Sequence, residues 1–258
     1  MSDERKIGLF MDFENIVRGI EGGKSRTPEE GGLDVHLILG RLLEQGTLVV
    51  KRAYCDWARY KNFKQSLHEA AFELIDIPKR RVSGKNSADI RMVVDVMDFA
   101  STKPHVDTYC LVTGDSDFSP LVSKLRENNR SVIGVGVRET VSPLLADNCD
   151  DFIYYENLVK DKELRRRKSV NVDKLDKNDQ EAFDLVTDAA AALHRDGRDL
   201  LWASMVKQTI KRKHPQFSEA AYDYGSFSEL LEEMEKHEVL QLERDKKSGS
   251  YLVELLNS

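Results

Sequence analysis

Two short stretches of the sequence are apolar almost without interruption, and they constrain the fold more than any other feature. Residues 109–112 read Tyr-Cys-Leu-Val, and residues 132–137 read Val-Ile-Gly-Val-Gly-Val. A strand with one face in water alternates apolar with polar residues, but these two stretches have no polar face. Strands of this kind occur in parallel sheets that helices cover on both sides. The sequence therefore predicts a three-layer α/β domain with a mainly parallel sheet.

The alternation of apolar runs with amphipathic stretches extends over most of the first 156 residues. Runs typical of strands occupy residues 7–11, 47–54, 74–77, 108–113, 131–137 and 152–155. Stretches with helical spacing of apolar residues occupy 35–45, 62–73, 88–100, 118–128 and 143–147. This order predicts repeated strand–helix units in a first domain that spans residues 1–160.

A different pattern follows a charged and polar stretch that we interpret as a linker over residues 161–177. Residues 179–194, 205–213 and 227–237 have helical periodicity, and Ser226 with Glu229 is the signature of a capping box at the third helix. Residues 239–243 and 250–255 alternate as strands around a Lys-Lys-Ser-Gly turn, which indicates a hairpin. Three helices and a hairpin predict a winged-helix-like α+β domain over residues 178–258.

Composition excludes several classes of protein. The 39 lysine and arginine residues and the 45 acidic residues give a net charge of −6, so a nucleic acid must be held by local basic patches. The three cysteines are widely separated and form no CxxC pair, which argues against a disulfide framework or a zinc site and favours the cytoplasm. No stretch is apolar enough for a transmembrane helix, so we expect no membrane partner.

Acidic side chains follow two of the predicted strands at the point where each strand ends. Asp12 and Asn15 follow the first strand, and Asp115 and Asp117 follow the strand that begins at residue 108. Asp89, in the first turn of a predicted helix, is a third contributor. The carboxyl ends of parallel strands meet at one edge of the sheet, where carboxylates would repel one another unless a cation neutralised them. Oxygen ligands without histidine or cysteine select Mg²⁺ or Mn²⁺, which predicts metal-assisted phosphodiester hydrolysis.

A structural explanation is available for each of these residues taken singly. Asp12 or Asp115 alone is compatible with a helix cap or a turn, and an acidic residue in a first helical turn, such as Asp89, is favoured by the helix dipole. Two acidic clusters after two different strands are harder to explain in this way.

Three segments in this order resemble the motifs of the NYN domain, a branch of the PIN-like nuclease superfamily. They are Asp-Phe-Glu-Asn at 12–15, Lys-Asn-Ser-Ala-Asp at 85–89 and Thr-Gly-Asp-Ser-Asp-Phe at 113–118. The resemblance covers residues 5–160 and implies a Rossmannoid sheet and a metal-dependent ribonuclease. It assigns the acidic centre to Asp12, Asn15, Asp89, Asp115 and Asp117, with Mg²⁺ or Mn²⁺ as cofactor. Some NYN proteins are thought to act mainly as RNA-binding components, so a non-catalytic adaptor is the alternative.

Residues 178–256 resemble a LOTUS domain, also called OST-HTH, through Pro215-x-Phe217, the Tyr-Gly-Ser-Phe segment at 224–227 and the order of apolar helix positions. The resemblance implies a winged-helix-like module that binds single-stranded or structured RNA, including G-rich RNA, and selects the substrate. DNA stays open as a substrate, and self-association is compatible with the sequence.

Basic residues that we expect to contact phosphate lie in both halves of the chain. They are Lys79, Arg80, Arg81 and Lys85 before the helix that carries Asp89, and Lys207, Lys211, Arg212, Lys213, Lys246 and Lys247 in the second domain.

Overall fold

The structure is a computed structural model that describes residues 4–22, 32–78, 87–168, 175–198, 200–245 and 249–256. The chain divides into two compact units: the first contains residues 1–42 and 46–163, and the second contains residues 43–45 and 164–258. In the part of the chain that is described, no helix combines the length and the apolar character needed to span a bilayer.

A sheet of six parallel strands forms the centre of the first unit. The strands are β1 (Lys6–Asp12), β2 (Thr47–Cys55), β3 (Glu73–Asp76), β4 (Thr108–Val112), β5 (Ser131–Gly136) and β6 (Asp151–Tyr154). Their order across the sheet is β3-β2-β1-β4-β5-β6, and every neighbouring pair is parallel. The prediction of an α/β fold with a parallel sheet is confirmed.

Helices cover both faces of this sheet. They are α1 (Phe13–Gly22), α2 (Val35–Gln45), α3 (Lys64–Glu69), α4 (Ser87–Thr102), α5 (Ser119–Glu127), α6 (Pro143–Asn148) and α7 (Tyr155–Lys168). Successive side chains of β1 enter different layers: Leu9 and Met11 pack in a core that includes α1 and α2, whereas Phe10 packs in a core that includes α4, α5 and α6. Because side chains alternate along a strand, one buried strand supplies both cores.

The structure contains helices that the sequence interpretation missed. The helix α1 begins directly after Asp12, and its buried residues Phe13, Ile16, Val17 and Ile20 have the spacing of an amphipathic helix. The helix α7 continues to Lys168, so the first eight residues of the predicted linker, 161–168, are helical. Glutamate, leucine, arginine and lysine are all good helix formers, and a high density of charge does not by itself prevent a helix.

One predicted helix is too long. The prediction extended from residue 62 to 73, but α3 ends at Glu69 after a short 3-10 turn, Lys61–Phe63. Ala71 has a φ of 56°, in the left-handed region, and the Phe72 amide donates to the carbonyl of Leu67 at 2.9 Å. This reversal ends the helix and starts β3, which pairs with β2.

The second unit contains α8 (Lys177–Arg195), α9 (Ala203–Lys213), α10 (Phe227–Lys236), β7 (Leu240–Arg244) and β8 (Tyr251–Leu255). The two strands pair antiparallel. Ser226 caps α10, because its hydroxyl accepts from the Glu229 amide at 3.2 Å, and the Glu229 carboxylate accepts from the Gly225 amide at 2.8 Å. The unit has its own core, which includes Phe183, Leu230 and Phe217.

Candidate active site

The strand order of the first unit places two acidic segments next to each other. The central strand β1 has β2 and β3 on one side and β4 to β6 on the other. The order in which strands are added to the sheet therefore reverses between β1 and β4. Asp12 is the last residue of β1, and Asp115 follows the end of β4 by three residues. Ligands of open α/β sheets bind at this point, beyond the carboxyl ends of the strands. The two segments therefore flank the position where the fold favours a site.

Asp12 is buried, with only 8% of its surface exposed. Its Oδ1 atom accepts a hydrogen bond from the Asn15 amide at 3.2 Å, so the carboxylate caps the first turn of α1. Burial raises the pKa of Asp12 to about 7, the Asn15 amide opposes that change, and the negative charges of Asp89, Glu14 and Asp115 add to it. Asp12 thus lies in a desolvated position at which several carboxylates act on one another.

Asn15 connects the two acidic segments. Its Oδ1 atom accepts a hydrogen bond from the amide of Gly114 at 2.8 Å, although 99 residues separate the two in the sequence. The Gly114 carbonyl in turn accepts from the Ser142 amide at 2.9 Å, and a Cβ at position 114 would lie 3.0 Å from the Thr140 carbonyl oxygen. Glycine permits this close approach of two backbones. In this arrangement the side-chain Oδ1 atom of Asn15 fixes the loop that carries Asp115.

Asp115 and Asp117 lie in a tight turn after β4. The Asp115 carboxylate accepts from the Asp117 amide at 2.9 Å and caps the 3-10 turn Ser116–Phe118. The Asp115 amide donates to the Thr113 hydroxyl at 3.2 Å. Asp115 is half-buried and Asp117 is exposed, while Phe118 is buried and anchors the turn. The capping role that the sequence left open is therefore present, and it holds the Asp115 carboxylate at the sheet edge.

Asp89 is half-buried in the first turn of α4, and its charge contributes to the raised pKa of Asp12. A buried network fixes the same helix. The Asp95 carboxylate accepts from the Tyr54 hydroxyl at 3.0 Å, from Arg91 at 2.9 Å and from Arg52 of β2 at 3.3 Å. Because α4 is fixed to β2 in this way, the position of Asp89 relative to the sheet is also fixed.

Glu14 is a member of the acidic centre that the sequence interpretation did not assign. It lies in the first turn of α1 and is one of the charges that raise the pKa of Asp12. Its place between Asp12 and Asn15, within the first of the three motif segments, was the available signal.

The donor atoms of this site suit a hard divalent cation. Among the described residues, no three or more histidine, cysteine, aspartate or glutamate side chains are grouped closely enough to enclose an ion. Mg²⁺ does not require such a cage, since it commonly keeps several waters and uses one or two carboxylates. The carboxylates of Asp12, Asp89 and Asp115 supply only oxygen. Burial is the main cause of the raised pKa of Asp12, and the charges of Asp89, Glu14 and Asp115 add to it, so a bound cation would favour the ionised form. The residues present therefore fit Mg²⁺ or Mn²⁺.

Comparison with protein families matches residues 6–156, more than half of the chain, to the NYN domain. The chain belongs to the NYN domain family. This family is part of the PIN-like nuclease superfamily, whose members generally use divalent metals. The residues that match include all of β1 to β6 and the site at their carboxyl edge.

Two similar proteins carry names without a function. An uncharacterized protein of Methanocaldococcus jannaschii is 27% identical over 169 residues, which make up 65% of this chain and 63% of that protein, so the chain spans less than two thirds of its length. The crystal structure of a protein of unknown function from Vibrio parahaemolyticus superposes with a TM-score of 0.53 at 25% identity. The match covers 61% of this chain and 97% of the Vibrio chain. Neither name states an activity.

Two arginines that the sequence interpretation did not single out lie beside the NYN acidic centre. Arg18 forms an ion pair with Glu14, and the Nη1 atom of Arg59 lies 3.8 Å from the same Glu14 carboxylate. Both side chains are more than half exposed, at 61% and 54%. The i,i+4 spacing of Glu14 and Arg18 on α1 was a sequence signal for the first contact, but Arg59 comes from the loop after β2 and only the fold brings it here.

Of the basic residues predicted to bind RNA, six lie outside the residues that the structure describes: Lys79, Arg80, Arg81, Lys85, Lys246 and Lys247. The other four are on α9. Lys207 forms an ion pair with Glu219 at 2.6 Å and lies over the ring of Phe227, while Lys211 is exposed. Arg212 donates to the Thr209 hydroxyl at 3.0 Å, and Lys213 is the last residue of the helix. Of these four residues, Lys211 is exposed and the other three are half-buried.

Proposed function

We propose that this chain is a Mg²⁺- or Mn²⁺-dependent ribonuclease that hydrolyses RNA phosphodiester bonds at the carboxyl edge of the NYN sheet. The observation that carries the proposal is the buried Asp12, whose pKa is raised to about 7 beside Asp89, Glu14 and Asp115. A purely structural aspartate is normally paired or hydrogen-bonded so that its charge is favourable. An aspartate whose charge is disfavoured by its surroundings is a candidate for metal binding or catalysis.

The residues of the site have separate roles in this proposal. Asp12, Asp89 and Asp115 would hold the cation, one or two of them directly and the rest through its waters, with Asp117 at the exposed side of the same turn. A bound ion supplies charge neutralisation at the phosphoryl group and an acidified water for in-line attack. Asn15 orients the Asp115 loop, because its side-chain oxygen accepts from the Gly114 amide. Its side-chain NH₂ group would donate a hydrogen bond to a metal ligand or a phosphate. The products expected from the superfamily resemblance are a 5′-phosphate and a 3′-hydroxyl.

The exposed arginines beside Glu14 would contact the phosphates that flank the cleaved bond. Arg18 and Arg59 place positive charge next to a site that is otherwise acidic. Arginine binds phosphate through paired N–H donors, and such contacts give affinity without sequence preference. Their position explains how a chain with a net charge of −6 could hold a polyanion.

We assign substrate selection to the second unit, as a LOTUS-like, winged-helix-like RNA-binding domain. The support is its three helices with an antiparallel hairpin and the exposed Lys211 on α9. Lys211→Gln should weaken RNA binding several-fold without changing cleavage at saturating RNA. The matched control is Lys236→Gln on α10, which should have no effect. Equal affinities for both variants and the wild type would remove Lys211 from the interface.

The deciding experiment compares the wild type with Asp115→Asn on end-labelled single-stranded RNA, structured RNA and DNA, in Mg²⁺, Mn²⁺ and EDTA. We expect metal-dependent cleavage of RNA by the wild type and a loss of at least about a hundredfold in Asp115→Asn. Asp98→Asn is the matched control, since Asp98 is an exposed carboxylate on α4. A wild type that binds RNA but cleaves no better than Asp115→Asn would favour the alternative, a non-catalytic RNA-binding or adaptor protein.

A further inference from the structure

A groove of about 700 Å³ opens on the first unit directly beside the acidic centre. Its walls come from α4, from the turn that leads into α5, and from α6. Asp89 and Asp117 are among its lining residues, so the groove is continuous with the candidate active site. Its volume is within the range of roughly 300–1,000 Å³ that is usual for small-ligand sites.

The groove presents aliphatic side chains to solvent. Ile90, Val94 and Leu144 are 64%, 56% and 58% exposed, and all three line it. A single exposed aliphatic residue on a protein surface needs no explanation. Three that line one concave surface next to a polar site form a patch of the kind that binds a ligand.

The charges of the groove limit what can enter it. None of its described lining residues is lysine, arginine or histidine, and the two charged ones, Asp89 and Asp117, are acidic. A phosphate backbone would be repelled there, whereas Arg18 and Arg59 beside Glu14 attract it. The complementary part of a nucleic acid is the neutral and largely apolar base.

A buried hydroxyl gives a second reason to expect that a nucleobase, whose edge is polar, binds in the groove. Ser119 lines the groove and is only 7% exposed, and its Oγ atom has no hydrogen-bond partner among the described residues. An unsatisfied hydroxyl in an enclosed position costs free energy, and such groups often mark a ligand or a water.

We propose that this groove binds one unpaired base of single-stranded RNA next to the cleaved phosphate, an inference that rests on the proposed ribonuclease function. A base within a duplex is stacked and paired, so it cannot enter a groove of this kind without leaving the helix.

The test is a double-mutant cycle, in which substitutions in the groove are combined with removal of a base from the RNA and binding affinity is measured. The catalytic variant Asp115→Asn serves as the non-cleaving chain, and its affinity is measured by fluorescence anisotropy for a single-stranded RNA and for a series of RNAs with one abasic residue each. The groove variant adds Ile90→Ser and Leu144→Ser, both at exposed positions that should not disturb the fold. Val49→Ser, at an exposed apolar position of β2, is the matched control.

The groove variant should bind intact RNA roughly tenfold more weakly, since the aliphatic contacts with the base are lost. One abasic position should weaken binding to the non-cleaving chain by a similar factor and should have no further effect on the groove variant. The proposal would be overturned if the losses from the groove substitutions and from the abasic position were additive. It would also be overturned if no abasic position weakened binding, or if the groove variant bound intact RNA as tightly as the non-cleaving chain. Loss of self-association by the groove variant at unchanged RNA affinity would assign the groove to a second copy of the chain.

The two proposals fail in different ways. If the wild type does not cleave but the double-mutant cycle behaves as expected, the nuclease function is wrong and the base site stands. If the wild type cleaves single-stranded RNA and abasic positions have no effect on binding, the nuclease function stands and the base site is wrong. Equal cleavage of duplex and single-stranded RNA would also contradict the base site.

Discussion

The two units use their polar side chains in opposite ways. In the second unit, two polar side chains have partners that favour them: the Tyr224 hydroxyl donates to Asp179 at 2.5 Å, and Lys207 pairs with Glu219 at 2.6 Å. In the first unit, Asp12 is buried at the sheet edge near three other carboxylates, and its ionised form is disfavoured. Satisfied groups stabilise a fold, whereas a disfavoured charge is retained where a function needs it. Substitutions in the two units should therefore separate stability from activity.

The largest effect is expected for Asp12→Asn. Cleavage should fall by at least about a hundredfold, because a carboxylate that binds the cation is replaced by a neutral amide. The side-chain oxygen at position 12 still accepts from the Asn15 amide in this variant, so the first turn of α1 stays capped. Single-turnover cleavage with Mn²⁺ measures the effect. Activity within a factor of a few of the wild type would show that Asp12 is not a ligand.

The same variant should be more stable than the wild type in EDTA, and the difference should depend on pH. The pKa of Asp12 is about 7 in the folded chain and near 3.8 when unfolded, so the folded state binds the proton more tightly. Wild-type stability therefore falls as pH rises from about 4 to about 7, and the advantage of Asp12→Asn reaches at most about 4 kcal/mol above that range. Urea unfolding at about pH 5 and pH 8 tests this. A pH-independent difference, or one equal to that of Asp98→Asn, would contradict it.

Asn15→Ala should affect both properties. It removes the acceptor of the Gly114 amide, which costs about 1–3 kcal/mol when a partly buried donor is left unsatisfied. The Asp115 loop then loses its connection to α1, so we expect roughly tenfold slower cleavage and weaker binding of Mn²⁺. Asn15→Gln keeps an amide carbonyl as acceptor without adding a negative charge and should recover part of the stability. Loss of stability without any change in Mn²⁺ affinity would limit Asn15 to a structural role.

Local patterns in the sequence were sufficient for the sheet and for most of its helices. The apolar runs at 109–112 and 132–137 predicted buried parallel strands because no polar face was available to solvent. The helix α1 was not predicted, although its buried residues Phe13, Ile16, Val17 and Ile20 have helical spacing. The early end of α3 depends on the left-handed Ala71, a residue that gives no such signal in the sequence.

The candidate site could be predicted in part for a similar reason. The positions of Asp12 and Asp115 could be predicted because each lies at or after the end of a strand that the apolar pattern indicates. The resemblance to the NYN family then grouped them in one acidic centre. The hydrogen bond from Gly114 to Asn15 and the position of Arg59 beside Glu14 depend on contacts between distant parts of the chain. Neither spacing nor composition encodes such contacts directly. The groove also required the fold, because α4, α5 and α6 approach one another only in three dimensions.

The arginines beside Glu14 offer a smaller and more general effect. The double variant Arg18→Gln and Arg59→Gln should weaken RNA binding several-fold for all sequences, and it should reduce the slope of log affinity against log salt by about 1–2. Lys103→Gln is the control, since Lys103 is an exposed residue in the segment before β4, at the opposite edge of the sheet. Binding titrations at several salt concentrations measure the slope. An unchanged slope would place the phosphates elsewhere.

The smallest effect is expected in the second unit, for Tyr224→Phe. Burial and the hydrogen bond to Asp179 raise the pKa of Tyr224, so its neutral hydroxyl is the form that the fold favours. Removing that hydroxyl should lower stability by about 1 kcal/mol and leave the rate of RNA cleavage unchanged. Tyr251→Phe is the matched control, because its hydroxyl bonds Glu232 at an exposed position and should contribute little. If Tyr224→Phe instead slowed cleavage at saturating RNA, the separation between a stabilising second unit and a reactive first unit would be wrong.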